Sequence, residues 1–283
     1  MARKFNVAGA CIPGEHYMVN LEDRMKRIKN LVDEGMYFTI NKARQYGKTT
    51  TLMILEQYLR KDYYVVSMDF QMFGSEEFEN ENVFALSFAG MFIRRITAEI
   101  ADISDNLRKT IRQIESILEE ERKSFRLLKL FEKISDICLE TDKPIVLMID
   151  EVDSAANNQV FIDFLAQLRF YYLRRGRTPA FQSVILAGVY DVRSVRGKIR
   201  PDEDHMENSP WNIAADFLVD MSFSPNDIKG MLKEYETDHH TGMELNLIAD
   251  MIHEYTFGYP YLVSRFCSYL DEKVPGTQRF PDQ

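Results

Sequence analysis

Two short stretches of the chain combine charged and hydroxyl side chains in patterns suited to binding and cleaving phosphate. The first is Tyr46-Gly47-Lys48-Thr49-Thr50, set between the apolar run Tyr37-Phe38-Thr39-Ile40 and an amphipathic run over residues 49–61. It has the form of the second half of a phosphate-binding loop. Gly47 leaves no Cβ between the backbone and an approaching anion. Amides at a helix start point at that anion, and the helix dipole adds favourable potential there. Lys48 supplies a cation for β- and γ-phosphates, and the Thr49 hydroxyl suits the shell of a magnesium ion. Gln45, Tyr46 and Thr50 complete the candidate nucleotide-binding set.

The second stretch is Ile145-Val146-Leu147-Met148-Ile149-Asp150-Glu151. An apolar strand ending in two acids places carboxylates at the carboxyl edge of a parallel sheet, where α/β proteins bind ligands. Asp150 is the candidate magnesium holder, acting through water. Glu151 is the candidate general base for an attacking water. Asp153 reads as a cap for the next helix. One position departs from the full phosphate-loop pattern, which has a glycine five residues before Gly47 where this chain has Lys42. The triplet Gly-Lys-Thr alone is weak, and an ordinary surface turn is the competing reading. A strand before it, a helix after it and an acidic strand downstream give it force.

Hydrophobic periodicity gives the strands and helices around these groups. Residues 21–34 read as a helix with Leu21, Met25, Ile28, Leu31 and Val32 on one face, stopped by Gly35. Strands are predicted at Tyr37-Phe38-Thr39-Ile40, at residues 63–70, at 145–149 and at 183–189, with a fifth at 217–223. Residues 79–139 are helical with short breaks, including an Ile111, Ile114, Ile117, Leu118 stripe, and residues 161–174 are helical again. Strands separated by helices argue for an α/β fold, a five-stranded parallel sheet sandwiched by helices. After Ser224-Pro225, three helical runs follow with no strand between them. The organisation predicted is therefore a core over residues 1–223, a helical lid over 224–272 and a tail over 273–283 that reads as truncated before a further module.

Composition bounds the rest. Hydrophobic residues make up 45% and charged residues 28% of the 283, which suits a folded soluble chain with a sizeable core. No run approaches the length of a membrane span, so no membrane partner is expected. Cys11, Cys138 and Cys267 lie more than a hundred residues apart, without ligand or framework spacing, which fits a reducing cytoplasm. A net charge of −9 disfavours a phosphate backbone as partner, leaving nucleic acid behind nucleotide as a ligand. The arginines at 169, 174, 175 and 177, and the basic set Arg193, Arg196, Lys198 and Arg200, read first as solvated faces. An arginine donated to a neighbouring subunit is the sharper alternative.

Taken together, the lysine loop, the acid-tipped strand and the helical C-terminal part resemble the bacterial AAA-like P-loop NTPases, near the archaeal-type and STAND ATPases. The resemblance rests on residues 37–52, 143–154, 183–192, 200–223 and 257–266. In families of this kind an arginine-containing run such as Ala43-Arg44-Gln45-Tyr46 replaces the glycine-led half-loop. The resemblance implies a nucleotide-binding core and a lid, with Pro260 of Gly258-Tyr259-Pro260 packed near an adenine base. It also implies a sensor for the γ-phosphate at Tyr190 or Asp191. Arg265 reads first as a surface residue and second as a lid arginine reaching the phosphates. His16 or Tyr17 would lie along the base.

The function expected is a Mg2+-dependent ATPase with Lys48 and Glu151 as catalytic residues, Thr49 and Asp150 at the metal, and ATP and Mg2+ as cofactors. ATP is preferred to GTP because no Asn-Lys-x-Asp stretch is present. The alternative is a slow-turnover nucleotide-gated switch or scaffold, in a DNA-associated or defence setting, working as a homo-oligomer or with a partner protein.

Overall fold

The computed structural model of the chain describes residues 3–190, 192 and 210–273. Packing divides the chain into two compact units. One comprises Met1–Ile28, Ala43–Ile54 and Leu218–Gln283, and the other Lys29–Lys42 and Leu55–Phe217.

The second unit holds a parallel sheet of β1 (Phe38–Asn41), β2 (Tyr64–Asp69), β3 (Ile145–Asp150) and β4 (Ser183–Gly188), in the order β1-β4-β3-β2. Phe38 pairs with Ile185, and Ile149 lies between Met68 and Leu186. All six residues of β3 and all six of β4 are buried. Interior strands of a sheet covered on both faces bury both side-chain sets, and that is why these two runs show no apolar–polar alternation.

Among the described residues the expected fifth strand is absent: the sheet has four strands there, and residues 217–223 pair with none of them. Ala215 makes a single bridge to Phe38, with its N–H donating to the Tyr37 carbonyl at 2.8 Å. Further on, Leu218 is 83% exposed whereas Val219 and Met221 are buried. An extended segment that buries alternate side chains shows the same period as a strand. β-Propensity reports fit to a half-buried surface, not the presence of a ladder partner.

Helices flank the sheet. α1 (Glu22–Asp33) precedes β1 and α2 (Lys48–Leu59) follows it. The long helical region between β2 and β3 resolves into α3 (Ser75–Glu79), α4 (Glu81–Glu99), α5 (Asp105–Glu120) and α6 (Leu127–Glu140), and α7 (Gln159–Arg174) links β3 to β4. The breaks have local causes. The Asn80 side chain accepts from the Asn82 and Val83 amides to start α4, and Ser104 accepts from Leu107 to start α5. The core of this unit is rich in phenylalanine, with Phe164 of α7 meeting Phe88 at 5.0 Å and Phe131 at 5.4 Å between ring centroids. Each such pair adds about 0.5–1.5 kcal/mol beyond its buried area. Tyr171 and Tyr172 pack on Phe131 and Tyr37. Arg174 and Arg175 lie over the rings of Phe170 and Tyr172. The basic set Arg193, Arg196, Lys198 and Arg200 falls outside the described residues.

The C-terminal helices of the first unit are α8 (Pro225–His239), α9 (Leu245–Thr256) and α10 (Pro260–Lys273). Ser224 and Asp227 form a reciprocal capping box around Pro225 at the start of α8. The aminoterminal segment is fastened to this helix by Tyr17, whose hydroxyl donates to Asp238 at 2.9 Å, and by Arg3, which pairs with Asp238 and Glu234. Burial and the Asp238 carboxylate push the Tyr17 phenol up to about 12, so it stays a donor. Among the described residues, no helix is long and apolar enough to cross a membrane.

Candidate functional site

The segment Ala43–Ile54, which carries the candidate phosphate loop, packs within the first unit. Gln45 and Gly47 both take left-handed backbone conformations, with φ of 63° and 75°. A Cβ added at Gly47 would meet no atom within 4 Å, so the glycine answers a conformational demand and leaves open space in front of the loop. The Gly47 carbonyl accepts from Thr51 N–H at 2.9 Å, which starts α2 at Lys48. The amides of that first turn are those a helix cannot satisfy from its own carbonyls.

Lys48 is only 6% exposed, and its Nζ donates to the Ala43 carbonyl at 3.2 Å. The ammonium is thus turned back into the loop, which excludes the surface turn with an exposed lysine. Thr49 is exposed, whereas the Thr50 hydroxyl accepts from the Cys11 amide at 3.0 Å and ties the entry segment to α2. His16 is likewise in structural use, its Nδ1 accepting from Ile12 N–H at 2.8 Å. Pro260 is buried at the first position of α10, and Arg265 is exposed on the same helix.

The same unit brings to the loop a residue that sequence reasoning passed over. The Tyr259 hydroxyl donates to the Arg44 carbonyl, and its ring meets that of Tyr46 edge-on at 4.7 Å. The triplet Gly258-Tyr259-Pro260 had drawn notice for its proline, while the tyrosine between carried the contact.

The acidic motif ends β3 in the second unit. Asp150 is buried and accepts from the Glu151 amide at 2.9 Å. Glu151 itself has φ 53° and ψ 40°. A left-handed non-glycine residue costs about 1–2 kcal/mol, and such strain clusters at functional sites. Asp153 does not cap α7. Its carboxylate accepts from Val189 N–H at 2.5 Å and Tyr190 N–H at 3.1 Å, fixing the loop that leaves β4. Gly188 permits this approach, since a Cβ there would lie 2.9 Å from the Val152 side chain and 3.0 Å from the Asp153 carboxylate. Tyr190 is half exposed beside that anchor, and Asp191 lies outside the described residues. The unit therefore gathers Asp150, Glu151, Asp153 and Tyr190 at the carboxyl ends of two adjacent strands.

Asp153→Ala leaves two loop amides without their acceptor. It is expected to cost about 1–3 kcal/mol of stability, the penalty of one buried orphaned donor, because the Val189 amide is half buried whereas the exposed Tyr190 amide turns to water. The comparison is under 1 kcal/mol for Asp163→Ala on exposed α7 surface. Urea denaturation of both variants measures this. Equal midpoints would show that the anchor is dispensable.

A parallel sheet whose first strand leads through a left-handed turn to a lysine-started helix, with an acid pair ending an interior strand, defines the P-loop class of α/β nucleotide-binding folds. Within that class the chain belongs to the AAA-like domain family, which matches residues 14–278. A solved structure of the Aeropyrum pernix ORC2 protein, in ADPNP–ADP complexes, resembles it at 12% identity and a TM-score of 0.49, over 96% of this chain and 72% of that one. No curated protein matches the chain.

Proposed function

We propose that the chain binds ATP with magnesium and hydrolyses its β–γ bond. The observation that carries this reading is the buried Lys48 at the start of α2, its ammonium turned into a loop with two left-handed residues, in a chain of the AAA-like domain family. Gln45, Tyr46, Gly47 and Thr50 shape the loop around the phosphates. Lys48 exchanges the Ala43 carbonyl for phosphate oxygen and draws charge off the transferring group. Pro260 packs against the base.

Thr49 and Asp150 offer the hard oxygen donors magnesium takes. Among the described residues no group of three acids, histidines or cysteines forms a protein-only cage, and magnesium bound through one or two protein oxygens and phosphates needs none. When bound, the ion neutralises phosphate charge. Glu151 orients and deprotonates the attacking water, and Tyr190, held by Asp153, reads the γ-phosphate. The lid residues exclude bulk water.

The test is calorimetric ATP binding and steady-state Mg-ATP turnover of the purified chain beside Lys48→Ala. Removing a charge-assisted contact of ~1.5–3 kcal/mol is expected to weaken ATP binding by about 10–100-fold and to abolish turnover. Tight binding without turnover in the wild type would favour the nucleotide-gated switch. Absence of any binding would overturn the proposal.

A further inference from the structure

The contact between Tyr259 and the phosphate loop has a specific geometry. Ala43 and Arg44 present consecutive carbonyls just before the left-handed Gln45. The first accepts from Lys48 Nζ at 3.2 Å, and the second accepts from the Tyr259 hydroxyl. The Tyr259 ring also buttresses Tyr46, the residue between the two left-handed positions. One side chain from outside the loop therefore holds both the start and the middle of the turn.

That side chain stands on a rigid base. Gly258 has φ 70° and lies hard against Phe223, whose N–H donates to the Gly258 carbonyl at 2.8 Å. Tyr259 N–H donates to the Thr256 carbonyl at 3.0 Å, and Pro260 follows at the start of α10. Little backbone freedom is left on either side of the tyrosine. Burial, with the Tyr46 and Tyr261 hydroxyls nearby, raises the Tyr259 phenol above its ordinary value, so at neutral pH it is protonated and can donate.

We infer that Tyr259 is a positioning residue that clamps the phosphate loop through the Arg44 carbonyl and couples the C-terminal helices to nucleotide occupancy. The coupling rests on the nucleotide reading above, whereas the clamp does not. The loop must accept phosphate while Lys48 lets go of Ala43, and a second tether on the neighbouring carbonyl keeps its shape through that exchange. A preorganised loop binds without the cost of ordering itself at the moment of binding. By reciprocity, nucleotide that tightens the loop tightens the Tyr259 contact and so the helices that carry it.

Tyr259→Phe removes the hydroxyl and keeps the ring, and Tyr259→Ala removes both. Two measurements on the full chain test the inference. In nucleotide-free protein, amide hydrogen exchange over residues 44–48 is expected to rise about 3–10-fold in the Phe variant, as follows from one lost hydrogen bond. Its melting temperature should stay within about 2 °C of wild type. With ATP, the dissociation constant is expected to rise by a similar factor in the Phe variant and further in the Ala variant. KM should rise more than kcat falls, because Tyr259 acts on loop shape and not on the reacting atoms.

Unchanged exchange in Tyr259→Phe overturns the clamp, whatever the nucleotide data say. Altered exchange with unaltered ATP affinity overturns the coupling. If the wild type binds no nucleotide, the ATPase reading and the coupling fall together, and the exchange result still decides the clamp.

Discussion

Gly258→Ala is expected to destabilise the protein by about 3–5 kcal/mol, the sum of a left-handed non-glycine residue and an overpacked contact. In a chain of this size that corresponds to roughly 6–15 °C in Tm. Two causes act at one atom. The glycine sits at φ 70°, and an added Cβ would stand 2.1 Å from the Phe223 carbonyl oxygen and 2.9 Å from its nitrogen. Those are backbone atoms held by the Phe223-to-Gly258 hydrogen bond, so they cannot swing aside as a side chain would. The control is Gly230→Ala, within α8 and with open space around its added Cβ. There alanine improves helix propensity, and stability should rise by about 0.5–1 kcal/mol. Thermal denaturation of the two variants should therefore move in opposite directions. A Gly258→Ala protein that melts with the wild type would mean that the junction before α10 is not rigid, and the base attributed to Tyr259 would be lost with it.

The second large effect concerns Glu151. Glu151→Gln retains shape and hydrogen-bonding reach but removes the basic oxygen. It is expected to reduce kcat for Mg-ATP by about 100-fold or more, the contribution typical of a positioned general base, with ATP affinity within about threefold of wild type. A companion substitution separates chemistry from folding. Glu151→Gly removes the carboxylate at a position with φ 53°, where glycine bears no Cβ penalty. Turnover should fall as in the Gln variant while Tm stays level or rises, since about 1 kcal/mol of backbone strain is released. Retention of more than half the turnover in Glu151→Gln would remove Glu151 as the base. A Glu151→Gly protein that loses both turnover and fold would show that the residue serves the strand end instead.

Local pattern along the chain specifies the four strands that form, the helices between them, and the loop and acid pair. β1 to β4 carry apolar runs next to turn-forming residues, and Lys48, Asp150 and Glu151 lie at strand or helix ends that local pattern locates. These are short-range properties, written in periodicity and capping. Tertiary structure decided what depends on partners distant in the chain. Residues 217–223 have a strand's alternation, yet a strand exists only where a neighbour supplies a ladder, and these residues have none in the sheet. Asp153 has the position of a helix cap, yet its carboxylate went to Val189 and Tyr190, 36 and 37 residues on, because Gly188 let β4's end come close. Tyr259 reaches Arg44 across 215 residues of chain. No periodicity encodes which carbonyl a hydroxyl will find: that follows from how helices and loops pack, and packing energy is summed over contacts that only the folded chain brings together.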